Sequence, residues 1–226
     1  MENRFADELS FKFNASFFGD LPVLTADFGN VQELYLSHSG PHAPQIGRFL
    51  EHFPNLTRLA IRGYRLQRIP DAIFNMRQLT ALSLPECHIT LDRVSVDALA
   101  GLHDLDSLNL RGNPLGLAPD LSHMQDLTSL DLSHTRLTVM PKGLLANHGL
   151  LSAQLSYNAI TQVPIELTQA AAHFTQGFDL RGNPLSAQSL ERIAAHFRET
   201  GNTLGIDGLT QRPHADDPAN GIDMEH

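Results

Sequence analysis

One short pattern recurs eight times along this chain of 226 residues, and it constrains the fold more than any other feature. The pattern places apolar residues at positions 4 and 6 of a frame in every copy, an apolar residue at position 1 in six of the eight, and a small polar residue or cysteine at position 9 in all but one. Its copies begin at residues 8, 31, 56, 79, 105, 127, 150 and 175. The five residues Arg111–Leu115 recur unchanged as Arg181–Leu185. Units this short cannot each close a core, so they must stack and share one.

Repeat positions 4 and 6 predict one strand in each unit. Apolar residues separated by one polar residue, such as Leu130 and Leu132, follow strand alternation. Position 9 is expected to turn inward and satisfy backbone groups of the turn, which suits Asn113 and Asn158, whereas Tyr64 predicts a locally altered turn. A period of 20–29 residues with this frame is the signature of leucine-rich repeats. We therefore predict an α/β fold, a right-handed leucine-rich repeat solenoid of about eight repeats with a parallel concave sheet.

Repeat position 15 predicts how the chain returns along the convex side. Three copies lack proline there and have helical patterns, as in residues 44–53 and 91–102. Where proline is present we expect an extended or 3₁₀ segment, because proline fixes φ and lacks an N–H donor. These prolines are Pro22, Pro70, Pro119, Pro141 and Pro164.

Both ends of a solenoid expose its core and need caps. Six of the 12 phenylalanines lie within the first 28 residues, which predicts a bulky N-terminal cap. At the other end, helical spacing predicts a capping helix from Ala187 to Thr200, with Ser186 as its N-cap and Gly201 as its stop. We predict one repeat domain with both caps over residues 1–206. The polar, aperiodic residues 207–226 are expected to form a disordered tail or a linker.

Composition excludes several classes of partner. Sixteen Lys and Arg against 25 Asp and Glu give a net charge of −9, which disfavours nucleic acid. A single cysteine excludes an intramolecular disulfide framework and suits a reducing compartment. The first ten residues have no apolar core of a signal peptide, and no stretch approaches the ~20 apolar residues of a membrane span. We expect a monomer that is cytoplasmic, or secreted into a host cell by a non-Sec route.

The last repeat gives the strongest family resemblance. It ends in FDLRGNPLSAQSLERIAAHFRETGNTLGI and, with the repeat frames and the returns at Pro141 and Pro164, resembles the repeat domain of novel E3 ligase (NEL) effectors and related proteobacterial proteins. The resemblance covers roughly residues 8–206. It implies that the repeats select a substrate, while a separate helical domain carries a nucleophilic cysteine in a Cys-x-Asp motif. Here the only cysteine, Cys87, is followed by His88 and Ile89, so no catalytic residue carries over.

Two patterns invite a chemical interpretation of cysteine and histidine. Cys87 beside His88 could pair a nucleophile with a base, but neighbours in an extended turn point apart, and position 9 predicts a buried thiol. Twelve histidines raise the question of a metal site. His38 and His134 share position 8 but lie four repeats apart, roughly 19 Å at the usual strand spacing, and no His/Cys cluster has ligand spacing.

Charged residues on the concave face have two readings each. Asp131 and Asp179 share position 5 at roughly 10 Å by strand spacing. They could form a glycosidase pair, but an open surface without a pocket favours a recognition role. Arginines share position 7 and are either an anion-binding row or ordinary solvated side chains; they are Arg62, Arg111 and Arg181.

The outward positions 3, 5, 7 and 8 combine Tyr and Arg with few Lys, which is the composition of a contact surface. We interpret the chain as a non-catalytic module, without cofactor or metal, that binds a partner protein on its concave face. The alternatives are the substrate-recognition arm of a secreted NEL-type E3 ubiquitin ligase effector and an enzyme hidden on the concave face. The predicted binding residues are Glu33, Tyr35, His38, Arg58, Arg62, Asn109, Arg111, Asp131, His134, Gln154, Tyr157, Asp179 and Arg181.

Overall fold

Each repeat contributes one strand to a single parallel sheet whose order follows the sequence from β1 to β8. The structure, a computed structural model, describes residues 9–14, 21–26, 28–38 and 46–209; of residues 9–14 it describes the backbone alone. Equivalent repeat positions pair across neighbouring strands, as Leu34 does with Leu59 and Leu108 with Leu130. The predicted leucine-rich repeat solenoid is confirmed. The strands are β1 Leu9–Asn14, β2 Val31–Ser37, β3 Arg58–Arg62, β4 Ala81–Ser83, β5 Ser107–Asn109, β6 Ser129–Asp131, β7 Ser152–Gln154 and β8 Phe178–Asp179.

The core runs as one continuous layer behind the sheet. In repeats 2 to 8, every residue at positions 4 and 6 is buried, from Leu34 and Leu36 to Phe178 and Leu180. Burial of this much apolar surface is the main force that holds the stack together. The corresponding side chains of repeat 1, Phe11 and Phe13, lie outside the described residues.

The three repeats without proline carry helices on the convex side, as predicted. Two of the repeats with proline at position 15 also carry a helix there, so the expectation of an extended or 3₁₀ segment is wrong for these two. Pro70 and Pro164 are themselves extended, with φ of −58° and −63°, and each is the N-cap of a short helix. Proline fits there because the N–H it lacks would have no helical partner. The helices are α1 Ile46–Leu50, α2 Asp71–Phe74, α3 Arg93–Leu99, α4 Ile165–Gln169, α5 Ala172–Thr175 and α6 Ala187–Thr200, with a 3₁₀ turn at Leu144–Ala146.

Asparagines at position 9 join neighbouring repeats. Oδ1 of Asn113 accepts the backbone N–H of Cys87 at 2.9 Å, and its Nδ2 donates to the carbonyl oxygen of Leu84 at 2.7 Å. Asn158 and Asn183 bind the preceding repeat in the same way. The inward role predicted for this position is confirmed at all three asparagines.

The C-terminal end is closed by α6, at the bounds that its sequence predicts. Ser186 accepts the backbone N–H of Ser189, and Gly201 ends the helix in a left-handed conformation with φ 74°. Beyond residue 206, Leu209 still packs against the core, and residues 210–226 lie outside the described residues. The domain boundary at residue 206 therefore stays a prediction.

At the N-terminal end, the ring of Phe28 stacks on Phe53 with 5.2 Å between centroids. Three further phenylalanines of the predicted cap, Phe5, Phe17 and Phe18, lie outside the described residues. None of the helices in the described part of the chain is both long and apolar enough to cross a membrane.

Candidate functional site: the concave face

We define the concave face as the side chains at repeat positions 3, 5, 7 and 8 of repeats 2 to 8. Strand alternation turns positions 3, 5 and 7 away from the core. Twelve of the thirteen predicted binding residues keep access to solvent on this face. The exposed ones are Arg58, Arg62, Arg111, His134, Tyr157 and Arg181, and the half-buried ones are Glu33, Tyr35, Asn109, Asp131, Gln154 and Asp179.

Position 8 has its own backbone conformation. In repeats 3 to 8 it is left-handed, with φ between 55° and 74°, at glycine and at other residues alike. Glu86, His134 and Tyr157 adopt it with exposed side chains, while their backbone N–H groups bind carbonyls of the next repeat, as Tyr157 does to Arg181 at 2.8 Å. Non-glycine residues rarely adopt this conformation. At these three positions the left-handed turn directs the side chains to solvent.

His38 is the exception, and its prediction as an outward binding residue is wrong. It is only 7% exposed. It is not among the residues with positive φ, and its ring turns inward to Tyr64, with 5.0 Å between centroids. Tyr64 is fully buried, and the altered turn expected around it stays a prediction. Among the described residues, both ring nitrogens of His38 and the Tyr64 hydroxyl have no hydrogen-bond partner.

Most charged side chains on the concave face form ion pairs with one another. Each of three arginines has a carboxylate partner on the same or an adjacent repeat. These contacts are exposed and individually worth little in stability, but they fix which groups remain open to a partner. The pairs are Arg58–Glu33 at 3.9 Å, Arg62–Glu86 at 3.2 Å and Arg181–Asp179 at 2.9 Å.

The one acidic side chain of this face without an arginine partner among the described residues, Asp131, accepts hydrogen bonds instead. Asp131 accepts the backbone N–H and the hydroxyl of Ser133, at 2.9 and 2.6 Å. Glu33 accepts the hydroxyl of Tyr35 at 2.8 Å, and this bond raises the pKa of Tyr35. Within the described part of the chain, the guanidinium of Arg111 has neither an ion pair nor a hydrogen bond. Arg111 is therefore the open cation of this face.

His134 and Tyr157 form an exposed aromatic pair beside Arg111. Their rings stack with 4.6 Å between centroids and an angle of 11°. Tyr157 is 53% exposed, and its other side leans on Gly182, where an added Cβ would lie 2.6 Å from the ring. The sequence already contained the signal, because both residues occupy position 8 of consecutive repeats. A comparison of His134 with the distant His38, which shares its repeat position, does not reveal this pair.

Cys87 lies inside the solenoid, as position 9 predicts. It is fully buried, its thiol donates to the carbonyl oxygen of Ile61 at 3.2 Å, and burial raises its pKa to about 11. His88 is exposed with φ 56°, so its ring does not face the buried sulfur. The described residues contain no group of three or more His, Cys, Asp or Glu that could hold a metal ion.

Similarity to known proteins agrees with this architecture. The leucine rich repeat family matches residues 54–115. The chain is 28% identical to keratocan of Danio rerio over 136 residues, which cover 49% of this chain and 39% of keratocan.

Two solved structures share the fold. An internalin of Listeria monocytogenes superposes with a TM-score of 0.52 at 15% identity, over 76% of this chain and 48% of the internalin. The Arabidopsis receptor kinase HAESA, solved with the peptide hormone IDA and the co-receptor SERK1, superposes with a TM-score of 0.52 at 21% identity, over 79% of this chain and 29% of HAESA. The chain spans less than half the length of keratocan and of each of these two. The repeats, the parallel sheet and these matches together show that the chain has the leucine-rich repeat fold.

Proposed function

We propose that this chain is a non-catalytic module that binds a partner protein on its concave face. The observation that carries the proposal is the grouping of exposed arginine, tyrosine and histidine side chains on one face of an uninterrupted sheet. Arginine and tyrosine are enriched among the residues that contribute most to the binding energy of protein interfaces. Seven steps between strands span roughly 34 Å at the usual spacing. That length accommodates an interface of about 800 Å² per partner.

The centre of the face supports close approach by a partner. Position 3 carries only small residues from repeat 4 to repeat 8; they are Ala81, Ser107, Ser129, Ser152 and Gly177. A partner backbone can lie near the sheet along this row while the longer side chains at positions 5, 7 and 8 contact it. The fold shared with HAESA, which was solved with a peptide hormone and a co-receptor, is consistent with this proposal but rests on fold alone.

The chemistry of the described residues argues against catalysis by this module. Nucleophilic catalysis needs an accessible thiolate with a positioned base. Cys87 has neither, since its thiol is buried and burial raises its pKa to about 11. The carboxylates of Asp131 and Asp179 lie on an open surface and already accept hydrogen bonds from their own neighbours.

The alternative proposal keeps the binding role but specifies its use. The sequence of β8 and α6 resembles the end of the repeat domain in NEL-type E3 ubiquitin ligase effectors. The helix α6, capped by Ser186 and Gly201, is consistent with a repeat domain that ends there, and we propose as the alternative that the chain is the substrate-recognition arm of such an effector. Under this proposal the protein is bacterial and monomeric, and it works in the cytoplasm or in a host cell reached by a non-Sec route.

A panel of matched surface variants tests the binding proposal. A partner captured by the wild-type chain is purified, and its affinity is measured for each variant. Arg111→Gln and Tyr157→Asn on the concave face are expected to weaken binding, whereas the convex variant Gln162→Ala retains it. Asparagine is chosen at residue 157 because it tolerates the left-handed backbone. Equal affinity for all variants, or loss with Gln162→Ala alone, contradicts the proposal.

The absence of catalysis, which both proposals share, has its own test. Incubation of the chain with a ubiquitin-charged conjugating enzyme is expected to give no thioester, because the only thiol is buried. A thioester that forms on the wild-type chain and is absent in Cys87→Ser contradicts the non-catalytic proposal.

A further inference from the structure

We infer that the segment bound by the concave face is an acidic peptide, in which a carboxylate pairs with Arg111 and a neighbouring aromatic side chain packs against the ring of His134. The inference rests on the proposed function and specifies the chemistry of its partner.

The charge of the concave face supports an anionic ligand. Positions 3, 5, 7 and 8 of repeats 2 to 8 hold four arginines and four acidic residues, so the face is neutral although the whole chain carries −9. The net negative charge therefore lies elsewhere. All four acidic groups have partners within the face, as do three of the four arginines. The remaining capacity for a charged contact is the guanidinium of Arg111, which matches a carboxylate in geometry as well as charge.

The surroundings of Arg111 support an aromatic neighbour. Position 8 of its repeat is Gly112, which has no side chain of its own. The atom nearest to a Cβ added there is Cγ of Glu86, whose exposed side chain can shift to admit a ligand. The ring of His134 contacts Tyr157 on one side and is exposed. An aromatic side chain placed over Gly112 would extend this stack by one ring, in an arrangement that aromatic pairs favour.

The spacing fits two nearby residues of one peptide. Arg111 and Gly112 are adjacent in the chain, and His134 belongs to the next repeat, about 4.8 Å away along the solenoid. Alternate side chains of an extended peptide lie on the same side of its backbone, roughly 6.8 Å apart. An acidic residue and an aromatic residue two positions apart can therefore reach both contacts at once.

A selection experiment tests the inference without a known partner. The full chain is immobilised and a random linear peptide library displayed on phage is selected against it. We expect enrichment of sequences with Asp or Glu two positions from Phe, Tyr or Trp. Synthetic copies are expected to lose about tenfold or more in affinity for Arg111→Gln, as for a charge-assisted hydrogen-bonded pair. They should bind Arg198→Gln normally, because Arg198 is an exposed arginine on α6 away from this face.

A second variant fills the proposed aromatic site. Gly112→Asn keeps the left-handed backbone, which Glu86, His134 and Tyr157 already adopt at the same repeat position. The added Cβ would lie 3.1 Å from Cγ of Glu86, an exposed side chain that can shift. We expect Gly112→Asn to retain the melting temperature and to weaken the peptide. Replacing the peptide carboxylate by an amide should weaken binding to wild type but not weaken it further in Arg111→Gln.

The outcomes separate the two proposals. Peptides that lose affinity with Tyr157→Asn yet lack acidic residues, or ignore Arg111→Gln, overturn the acidic-peptide inference and leave the concave binding face standing. Peptides that ignore every concave variant overturn both. A library that yields no binder also overturns the inference.

Discussion

At the scale of single residues, Asn158 has the most demanding role. Its amide accepts the backbone N–H groups of Thr135 and Leu137 and donates to the carbonyl oxygens of Leu132 and Leu155. Asn158→Ala leaves these buried groups without partners, and we expect a loss of ~1–3 kcal/mol in the free energy of unfolding. Urea melts measure it. Asn55→Ala is the control, because its exposed amide makes one bond, to Gly29, and should change stability by less than about 0.5 kcal/mol. Equal losses would contradict the role assigned to position 9.

Leu132 reports on the shared core. It is fully buried at position 6 of a central repeat. Leu132→Ala leaves a cavity, and we expect a loss of ~2–5 kcal/mol in urea melts. Leu151→Ala removes the same atoms from a side chain that is 77% exposed and should be nearly neutral. If the two variants melt alike, the repeat frame is misplaced.

Tyr64 and Cys87 predict how stability depends on alkaline pH. Burial raises the pKa of Tyr64 to about 12 and that of Cys87 to about 11, above the unfolded values near 10 and 8.5. Raised values mean that the folded state keeps these protons, so their contribution is present at neutral pH and is lost as pH rises from about 8.5 to about 12.

The variant Tyr64→Phe checks this interpretation. It removes a buried hydroxyl that lacks a partner among the described residues, so stability at neutral pH should not fall. The loss of stability above about pH 10 should be smaller than in wild type. Chemical melts over this range provide the measurement, and an unchanged alkaline loss would show that Tyr64 does not contribute to it.

Cys87 and His38 show what a repeat frame can and cannot predict for one residue. Burial of Cys87 follows from position 9 alone, because that position turns inward in every described repeat from 3 to 8 that carries asparagine, threonine or cysteine. The inward turn of His38 depends on a local backbone angle and on the bulk of Tyr64, which is 26 residues away. Such contacts between repeats are not encoded by the frame of either repeat.

At the scale of elements, α6 closes the solenoid through its first turn. Ser186 accepts the N–H of Ser189, and the hydroxyl of Ser189 accepts the N–H of Val163 in the preceding repeat at 3.0 Å. Ser186→Ala should therefore lower stability by about 0.5–2 kcal/mol, the usual value of an N-cap. Gln188→Ala, exposed on the same helix, should have almost no effect. Thermal melts compare the two variants, and equal melting temperatures would show that Ser186 does not stabilise α6 as an N-cap.

The bounds of α6 were predictable because serine, helical spacing and glycine mark both ends locally. The helices after Pro70 and Pro164 were not, because proline suits both an extended return and the start of a helix. A helix forms after each of these prolines because Ile73 and Leu167 then pack into the core. That packing depends on the neighbouring repeats.

At the scale of the whole molecule, the sheet follows from the repeat and the chemistry of its face does not. The period predicts eight stacked strands and which positions point outward. It does not predict that Arg62 and Arg181 are paired with carboxylates while Arg111 remains open. Those pairings depend on side-chain reach across or along the sheet, and they decide which parts of the concave face can bind a partner.

The central claim is that a partner protein occupies the concave face. Hydrogen–deuterium exchange of the chain with and without a captured or selected partner tests it most directly, because protection is read at each segment. We predict slower exchange in the strands and the turns that follow them, centred on the segments of Arg111, His134 and Tyr157, and unchanged exchange in α2 and α4 on the convex side. Protection of the convex helices with unchanged exchange along the concave segments would contradict the claim.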